Sequence, residues 1–302
     1  MQKKVLLIYG GFSAEHDVSI ASKNDISQAL KSKNYDVIEH NLTDIWNFLN
    51  VIKEENPDVV YNGLYGNWGE DGELQGLLDM LKVPYTHSGL KASAIGMDKH
   101  LSKLIAEKNG IKIAESEYKS AADYLKYGTQ IPYPYVVKPS CDGSSVGVYI
   151  VKNQQDAANI KYPDHSMQLL IEKYIAGREL TVMCLKGKAY IVTELVAKNE
   201  FYDYQAKYTN GYTKHILPAK IDADVTATCL KYAQTMHNAL NCNTLSRSDF
   251  RYNTHDGVVF LEINTNPGMT SLSLVPEQAK AIGISYANLC AELVENATYR
   301  KY

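Results

Sequence analysis

The sequence predicts an α/β fold of two or three domains. Residues 4–9 form an apolar run of the kind buried in a parallel sheet, and Gly10-Gly11 then leads into a helical pattern from Ser13 through Ile26, Ala29 and Leu30. Strand, glycine turn and helix start make an α/β unit, and its helix N-terminus offers unpaired backbone N–H groups. Strand-like and helix-like segments follow one another along the rest of the chain. Its 302 residues are enough for more than one hydrophobic core.

Residues 35–39 and 57–61 read as further strands, and Gly72 to Leu81 as a helix with Pro84 beyond it. A single helix is expected from Lys91 to Lys108, ended by the C-cap signal Asn109-Gly110. The pattern then changes. Tyr135–Lys138 and Val146–Val151 are strands around a small-residue loop, Pro139 to Ser145. Leu169–Ile175 is another strand, and Thr181–Leu185 with Ala189–Val196 form a hairpin around Lys186-Gly187-Lys188. Residues 199–216, rich in tyrosine and polar side chains, read as a long loop, a common form for a lid. Asp224 to Leu240 is a helix, a two-stranded hairpin follows, and Pro276 starts a last helix near its first position.

Composition excludes several classes. With 45% hydrophobic and 22% charged residues and a net charge of -3, the chain has no general attraction to nucleic acid. The run Val5–Tyr9 is too short for a signal peptide, and no apolar stretch reaches the roughly 18 residues of a membrane span. Five cysteines (141, 184, 229, 242 and 290), odd in number and without C-x-x-C spacing, argue against disulfides or structural zinc and for a reducing cytoplasm.

The hairpin carries the chemistry. The segments Arg247-Ser248-Asp249 and Glu262-Ile263-Asn264 flank an Asp256-Gly257 turn. If the loop centres on His255 and Asp256, Asp249 falls opposite Glu262, Arg247 falls opposite Asn264, and all four share one face. Opposed carboxylates repel unless a cation lies between them. Oxygen-only ligands suit Mg²⁺ held with nucleotide phosphates, and a solvated hairpin face is the alternative. Neither G-x-x-x-x-G-K-[ST] nor G-x-G-x-x-G is present. Instead Lys138 precedes Gly143-Ser144-Ser145-Val146-Gly147, a loop whose N–H groups and hydroxyls can cradle phosphate, or serve as a plain glycine-rich turn.

At this point nearly the whole chain resembles the D-alanine–D-alanine ligases of the ATP-grasp superfamily. The resemblance rests on Gly10-Gly11-Phe12-Ser13-Ala14-Glu15, Gly69-Glu70-Asp71-Gly72, Pro84-Tyr85-Thr86-His87-Ser88-Gly89, Met97-Asp98-Lys99 and Val137-Lys138-Pro139 with the glycine-serine loop. It continues through Gly177-Arg178-Glu179, Arg247-x-Asp249 and Glu262-x-Asn264-Thr265-x-Pro267-Gly268-Met269-Thr270.

The resemblance implies three α/β domains, residues 1–95, 96–178 and 179–302, with ATP between the second and third. It implies ligation of two D-alanines through an acyl phosphate, for peptidoglycan precursors, by a cytoplasmic homodimer using two Mg²⁺ ions or Mn²⁺. By this similarity Asp249, Glu262 and Asn264 hold the metal, while Lys99 and Lys138 contact phosphates. Glu172 and Tyr174 lie at the adenine and Glu179 at the ribose, and Lys173, Ile175, Ser145 and Lys207 complete the nucleotide set. Glu15 binds the first ammonium, Ser144 and Tyr208 link to it as the lid closes, Arg247 and the Gly268 N–H stabilise the oxyanion, and Ser273 and Leu274 receive the second carboxylate.

One residue departs from the pattern: Tyr65 stands where the family usually has histidine in the substrate site. An imidazole titrates near neutrality and a phenol near pH ~10, so the second-substrate site is expected to depend differently on pH. Cys141, in the phosphate loop, is a candidate for oxidation. Other outcomes left open are ligation to D-lactate, against which Tyr208 argues, ligation to D-serine, and nucleotide binding without catalysis.

Overall fold

The computed structural model describes residues 2–143, 146–197, 213–271 and 273–300. Strand β1 (Lys4–Gly10) lies between β2 (Asp36–Leu42) and β3 (Val59–Asn62), all parallel. Val5, Leu6, Leu7 and Ile8 are all buried, which is why this strand is apolar without alternation. Helix α1 (His16–Ser32) carries the chain from β1 to β2, and α2 (Ile45–Glu55) from β2 to β3. Helix α2 was not expected from the sequence: its start is set by Asp44 accepting the Trp46 and Asn47 N–H groups, and its buried stripe is only Phe48 and Ile52.

Helix α3 (Glu73–Leu81) stands where expected. The single helix expected from Lys91 to Lys108 is instead two, α4 (Leu90–Met97) and α5 (Lys99–Lys108). Asp98 between them is extended (φ -82°, ψ 105°), and its carboxylate accepts the His100 and Leu101 N–H groups and the Ser140 hydroxyl. An N-cap inside a periodic pattern restarts the helix there. Ala92 and Ala106 of these helices pack on Leu180, Val182, Phe250, Phe260 and Ile263. Gly96 is needed for the close approach, since a Cβ there would lie 2.9 Å from Thr265 Cγ2.

The second sheet is antiparallel, in the order β4 (Ser116–Ser120), β7 (Gln168–Lys173), β5 (Tyr135–Pro139), β6 (Tyr149–Val151). The expected strand 146–151 begins only at Tyr149, because Gly147 turns at φ 68°. Short helices α6 (Ala121–Tyr127) and α7 (Gln154–Ala158) accompany this sheet, whose core of Tyr124, Tyr135, Val137, Val151, Leu169 and Ile171 is its own.

The third sheet runs β11 (Thr213–Ile216), β10 (Thr193–Ala197), β8 (Arg178–Leu185), β12 (Leu245–Asn253), β13 (Gly257–Asn264), with the short β9 (Lys188–Ala189) also on β8. The expected 181–196 hairpin is therefore interrupted: β9 pairs briefly with β8, and the chain rejoins it at Thr193, opposite Thr181. Thr213–Ile216, expected in the long loop, is a strand paired with β10. Helix α8 (Ala223–Ala239) covers one face, and α9 (Leu274–Ala281) and α10 (Tyr286–Glu295) follow. Pro276 is the third residue of α9 rather than the first, a position that also lacks an intrahelical N–H partner, and α9 is not the last helix. Met183, Leu245, Met269, Leu289 and Leu293 join Val5, Leu7, Ile26 and Tyr61 in one core, so the first and third sheets are packed together. No helix among the described residues is long and apolar enough to cross a membrane.

Candidate active site

A cleft of about 1280 Å³ is lined from all three sheets and includes Glu15, Tyr65, Lys99, Lys138, Glu172, Glu179, Arg247, Asp249, Glu262, Asn264, Gly268 and Ser273. The β12–β13 hairpin forms one wall. Asp249 is paired with Glu262 and Arg247 with Asn264. The loop is one residue longer than the sequence reading assumed, with Asn253 opposite Gly257, and a bulge between Asp249 and Phe250 restores the register. Asn253 Oδ1 ties the turn by accepting the N–H groups of His255 and Asp256.

Arg247 donates from Nε and Nη2 to the Asp249 carboxylate (2.8–3.2 Å), and the Thr181 hydroxyl donates to Oδ1 at 2.5 Å. Lys99 Nζ lies 3.7 Å from Glu262 and donates to the Asp142 carbonyl at 2.6 Å. Cations thus flank both carboxylates. Among the described residues no three His, Cys, Asp or Glu side chains converge on a metal site. Two carboxylates and the Asn264 amide nonetheless fit Mg²⁺, which keeps waters and takes its remaining oxygens from phosphate.

Deeper in the cleft, Lys103 Nζ donates to one oxygen of Glu172 at 2.5 Å and Lys138 Nζ to the other. All three side chains are at least nine-tenths buried. Burial alone would raise the Glu172 carboxyl, but the two ammonium groups outweigh it and bring it down to about 2. Lys103 escaped the sequence reading because a lysine on a helix is usually a solvated residue. Only its place four residues after Lys99, on the same helix face, could have drawn attention.

The nucleotide-binding candidates Lys173, Tyr174, Ile175 and Glu179 line the cleft beyond Glu172, facing the apolar Ala114, Val136 and Leu261. Lys173 pairs with Asp256 at 3.3 Å. Arg251, also missed, holds both Ile175 and Glu179 from β12.

At the opposite end, a methyl group placed on Gly66 or Gly143 would come within 3.5 Å of the Glu15 carboxylate, which places Glu15 between the first sheet's loop and the loop after β5. Glu70 is buried nearby. Burial first, then the Glu15 charge, raise its carboxyl well above the usual range. Tyr65 is buried, and burial pushes its phenol up. Its hydroxyl accepts the Met269 N–H at 3.0 Å, while the Tyr286 hydroxyl donates to the Met269 carbonyl at 2.6 Å. Two phenols thus clamp the peptide next to Gly268. Ser273 occupies the N-cap position of α9 without a side-chain cap bond, its hydroxyl instead accepting the Thr270 N–H, and Leu274 opens that helix. Cys141 is exposed, but packing around its sulfur and the Asp98 charge raise its thiol and disfavour the reactive thiolate. Ser144, Ser145, Lys207 and Tyr208 lie outside the described residues.

A cleft lined from all three sheets, walled by a carboxylate hairpin and reached by two lysines, fits the ATP-grasp ligase class. A family model described as D-ala D-ala ligase C-terminus matches residues 105–295. The D-alanine–D-alanine ligase of Cereibacter sphaeroides is 43% identical over 98% of this chain and 96% of its own length. The crystal structure of the D-alanine–D-alanine ligase from Bacillus anthracis complexed with ATP superposes with a TM-score of 0.83 at 30% identity, covering 98% of this chain and 97% of that one. The VanG D-Ala:D-Ser ligase of Enterococcus faecalis gives 0.80 at 26% identity, covering 98% and 99%. The chain belongs to the D-alanine–D-alanine ligase family.

Proposed function

We propose that this protein joins two D-alanines to D-alanyl-D-alanine with conversion of ATP to ADP and phosphate, supplying peptidoglycan precursors in the cytoplasm. The observation that carries this reading is the opposed Asp249–Glu262 pair, with Asn264 and Arg247 on the same face, in the cleft that also holds Lys99 and Lys138. Family membership over the full chain supports it.

In this reading the adenine lies among Ala114, Val136, Ile175 and Leu261, near Glu172, Lys173 and Tyr174, and the ribose lies at Glu179. Lys99 and Lys138 receive the phosphates, and Ser145 and Lys207 are further nucleotide contacts in this reading. Because Lys103 already balances Glu172, the charge of Lys138 remains for the nucleotide. Mg²⁺, or Mn²⁺, held by Asp249, Glu262 and Asn264 would neutralise phosphate charge. Glu15 binds the ammonium of the first D-alanine and orients its carboxylate toward the γ-phosphate. The amine of the second D-alanine attacks the resulting acyl phosphate. Arg247, held in place by Asp249, and the Gly268 N–H stabilise the oxyanion, and phosphate leaves as the amide forms. Ser273 and Leu274, at the α9 N-terminus, receive the second carboxylate. Ser144 and Tyr208 link to Glu15 and help exclude water from the acyl phosphate.

The chain divides as 1–95, 96–178 and 179–302 and works as a homodimer, which sedimentation tests directly. The functional test is phosphate release from Mg-ATP with D-alanine, against L-alanine and no amino acid, with the product identified by mass. D-alanine-dependent release and the dipeptide are expected. Release only with D-serine or D-lactate would reassign the acceptor, and ATP binding without release would leave a nucleotide-binding protein.

A further inference from the structure

Arg251 sits on β12 two residues beyond Asp249 and lines the same cleft. Its side chain is only 13% exposed and makes three contacts. Nε donates to the Ile175 carbonyl at 3.0 Å, Nη1 donates to Glu179 Oε2 at 3.1 Å, and the guanidinium carbon lies 6.0 Å from the centre of the Tyr174 ring. The sheet register sets Arg251 directly opposite Glu179, so their pairing is built into the β8–β12 ladder.

Those strands do not need the pair to stay together. They are already matched over eight positions, from Leu245–Leu185 to Tyr252–Arg178. An arginine serving only the sheet would also have no reason to reach off it to the Ile175 carbonyl. What its three contacts share is the wall where the base and ribose of a nucleotide would rest. A carboxylate accepts the two hydroxyls of a ribose well only if its plane is fixed, and its charge is otherwise unwelcome near a triphosphate. A guanidinium on one oxygen supplies both the orientation and the compensating charge.

We propose that Arg251 is the positioning residue for ribose recognition: it fixes the Glu179 carboxylate toward the ribose hydroxyls and anchors the Tyr174–Ile175 backbone beside the base. This rests on the reading of the cleft as an ATP site. Arg251 acts through its neighbours rather than on the reacting atoms, so its removal acts on nucleotide affinity and sugar selectivity, not on the chemical step.

The test compares ATP with 2′-deoxy-ATP by calorimetric binding in the presence of Mg²⁺ and without D-alanine, and by KM and kcat with D-alanine saturating. Wild type, Arg251→Met and Arg251→Lys are measured, with thermal melting of each as a check on folding. Wild type is expected to prefer ATP by roughly tenfold, as for loss of one hydrogen bond to a charged group. Arg251→Met should raise KM for ATP by about the same factor, leave kcat within about twofold and bring the ATP/deoxy-ATP ratio near one. Arg251→Lys, which keeps the charge but loses the fork, should fall between. A ratio unchanged in a folded Arg251→Met, a loss in kcat alone, or equal binding of both nucleotides to wild type overturns the proposal while leaving the ligase reading intact. Absence of binding by either nucleotide overturns both.

Discussion

Asp249 and Glu172, two carboxylates of the cleft, are held by different neighbours. Asp249 is oriented by Arg247 and Thr181. Asp249→Asn should cut turnover by about 10²-fold or more while the melting temperature stays within a few degrees, checked by phosphate release beside a thermal melt. Near-normal Mg-dependent activity in that variant would remove the metal assignment. Glu172 depends on Lys103. Lys103→Met leaves a buried carboxylate with one partner and should cost about 3–5 kcal/mol, read by urea unfolding. It should also weaken ATP, because Lys138 then answers to Glu172 alone. Tyr65 carries no titration near neutrality, since burial raises its phenol. Tyr65→His should therefore introduce a pH dependence between about pH 5 and 8 in KM for the second D-alanine. An unchanged profile would show that the residue matters for packing Met269 and not for protonation.

At the scale of elements, the hairpin was legible and its details were not. Period-two alternation and the Asp256-Gly257 step placed Asp249 opposite Glu262, as found. That placement supposes a loop centred between His255 and Asp256. The actual three-residue loop would have shifted the register by one, and the bulge after Asp249 cancels that shift. Bulges have no local sequence signal of their own, so agreement here required two features, one of them invisible. The break between α4 and α5 was missed for the converse reason: Asp98 is an N-cap residue by type, but the apolar period runs through it. Its partner Ser140 is distant in sequence, as is Phe260, whose carbonyl accepts from Lys103. Long-range partners of this kind are what a single sequence conceals. Gly96 belongs to this scale too. Gly96→Ala presses a methyl onto Thr265, next to Asn264, and should destabilise the protein by about 1–3 kcal/mol and raise the Mg²⁺ concentration needed for activity. Unfolding and metal titration of the same variant check both.

Across the whole molecule, stability should fall with acid in two stages. His87 and His237 are buried, and burial lowers their imidazoles to about 3 and about 4. In the unfolded chain they take protons near pH ~6.5, so stability is full above that value and declines as pH falls toward the folded values. For His237 alone the loss by pH ~4 is on the order of 2–3 kcal/mol, and His237→Gln should flatten that limb of a urea-midpoint profile. Glu172 adds a second stage, present above the usual carboxylate range and lost as pH falls toward about 2. An unfolding midpoint flat from pH 7 to 4 would contradict the first stage.

The three sheets do not amount to three independent bodies. Val5, Leu7 and Tyr61 of the first share one core with Met183, Leu245 and Leu289 beyond it, whereas Val137, Leu169 and Ile171 of the second lie in a separate one. In native-state hydrogen exchange, amides of β1 and β8 should therefore open together, with one free energy and one denaturant slope. Those of β5 and β7 should open at a lower cost and on their own. Nucleotide bridging the two bodies would then draw the weaker set toward the stronger, and ATP would be read as added protection in β5 and β7 well before any peptide bond is made.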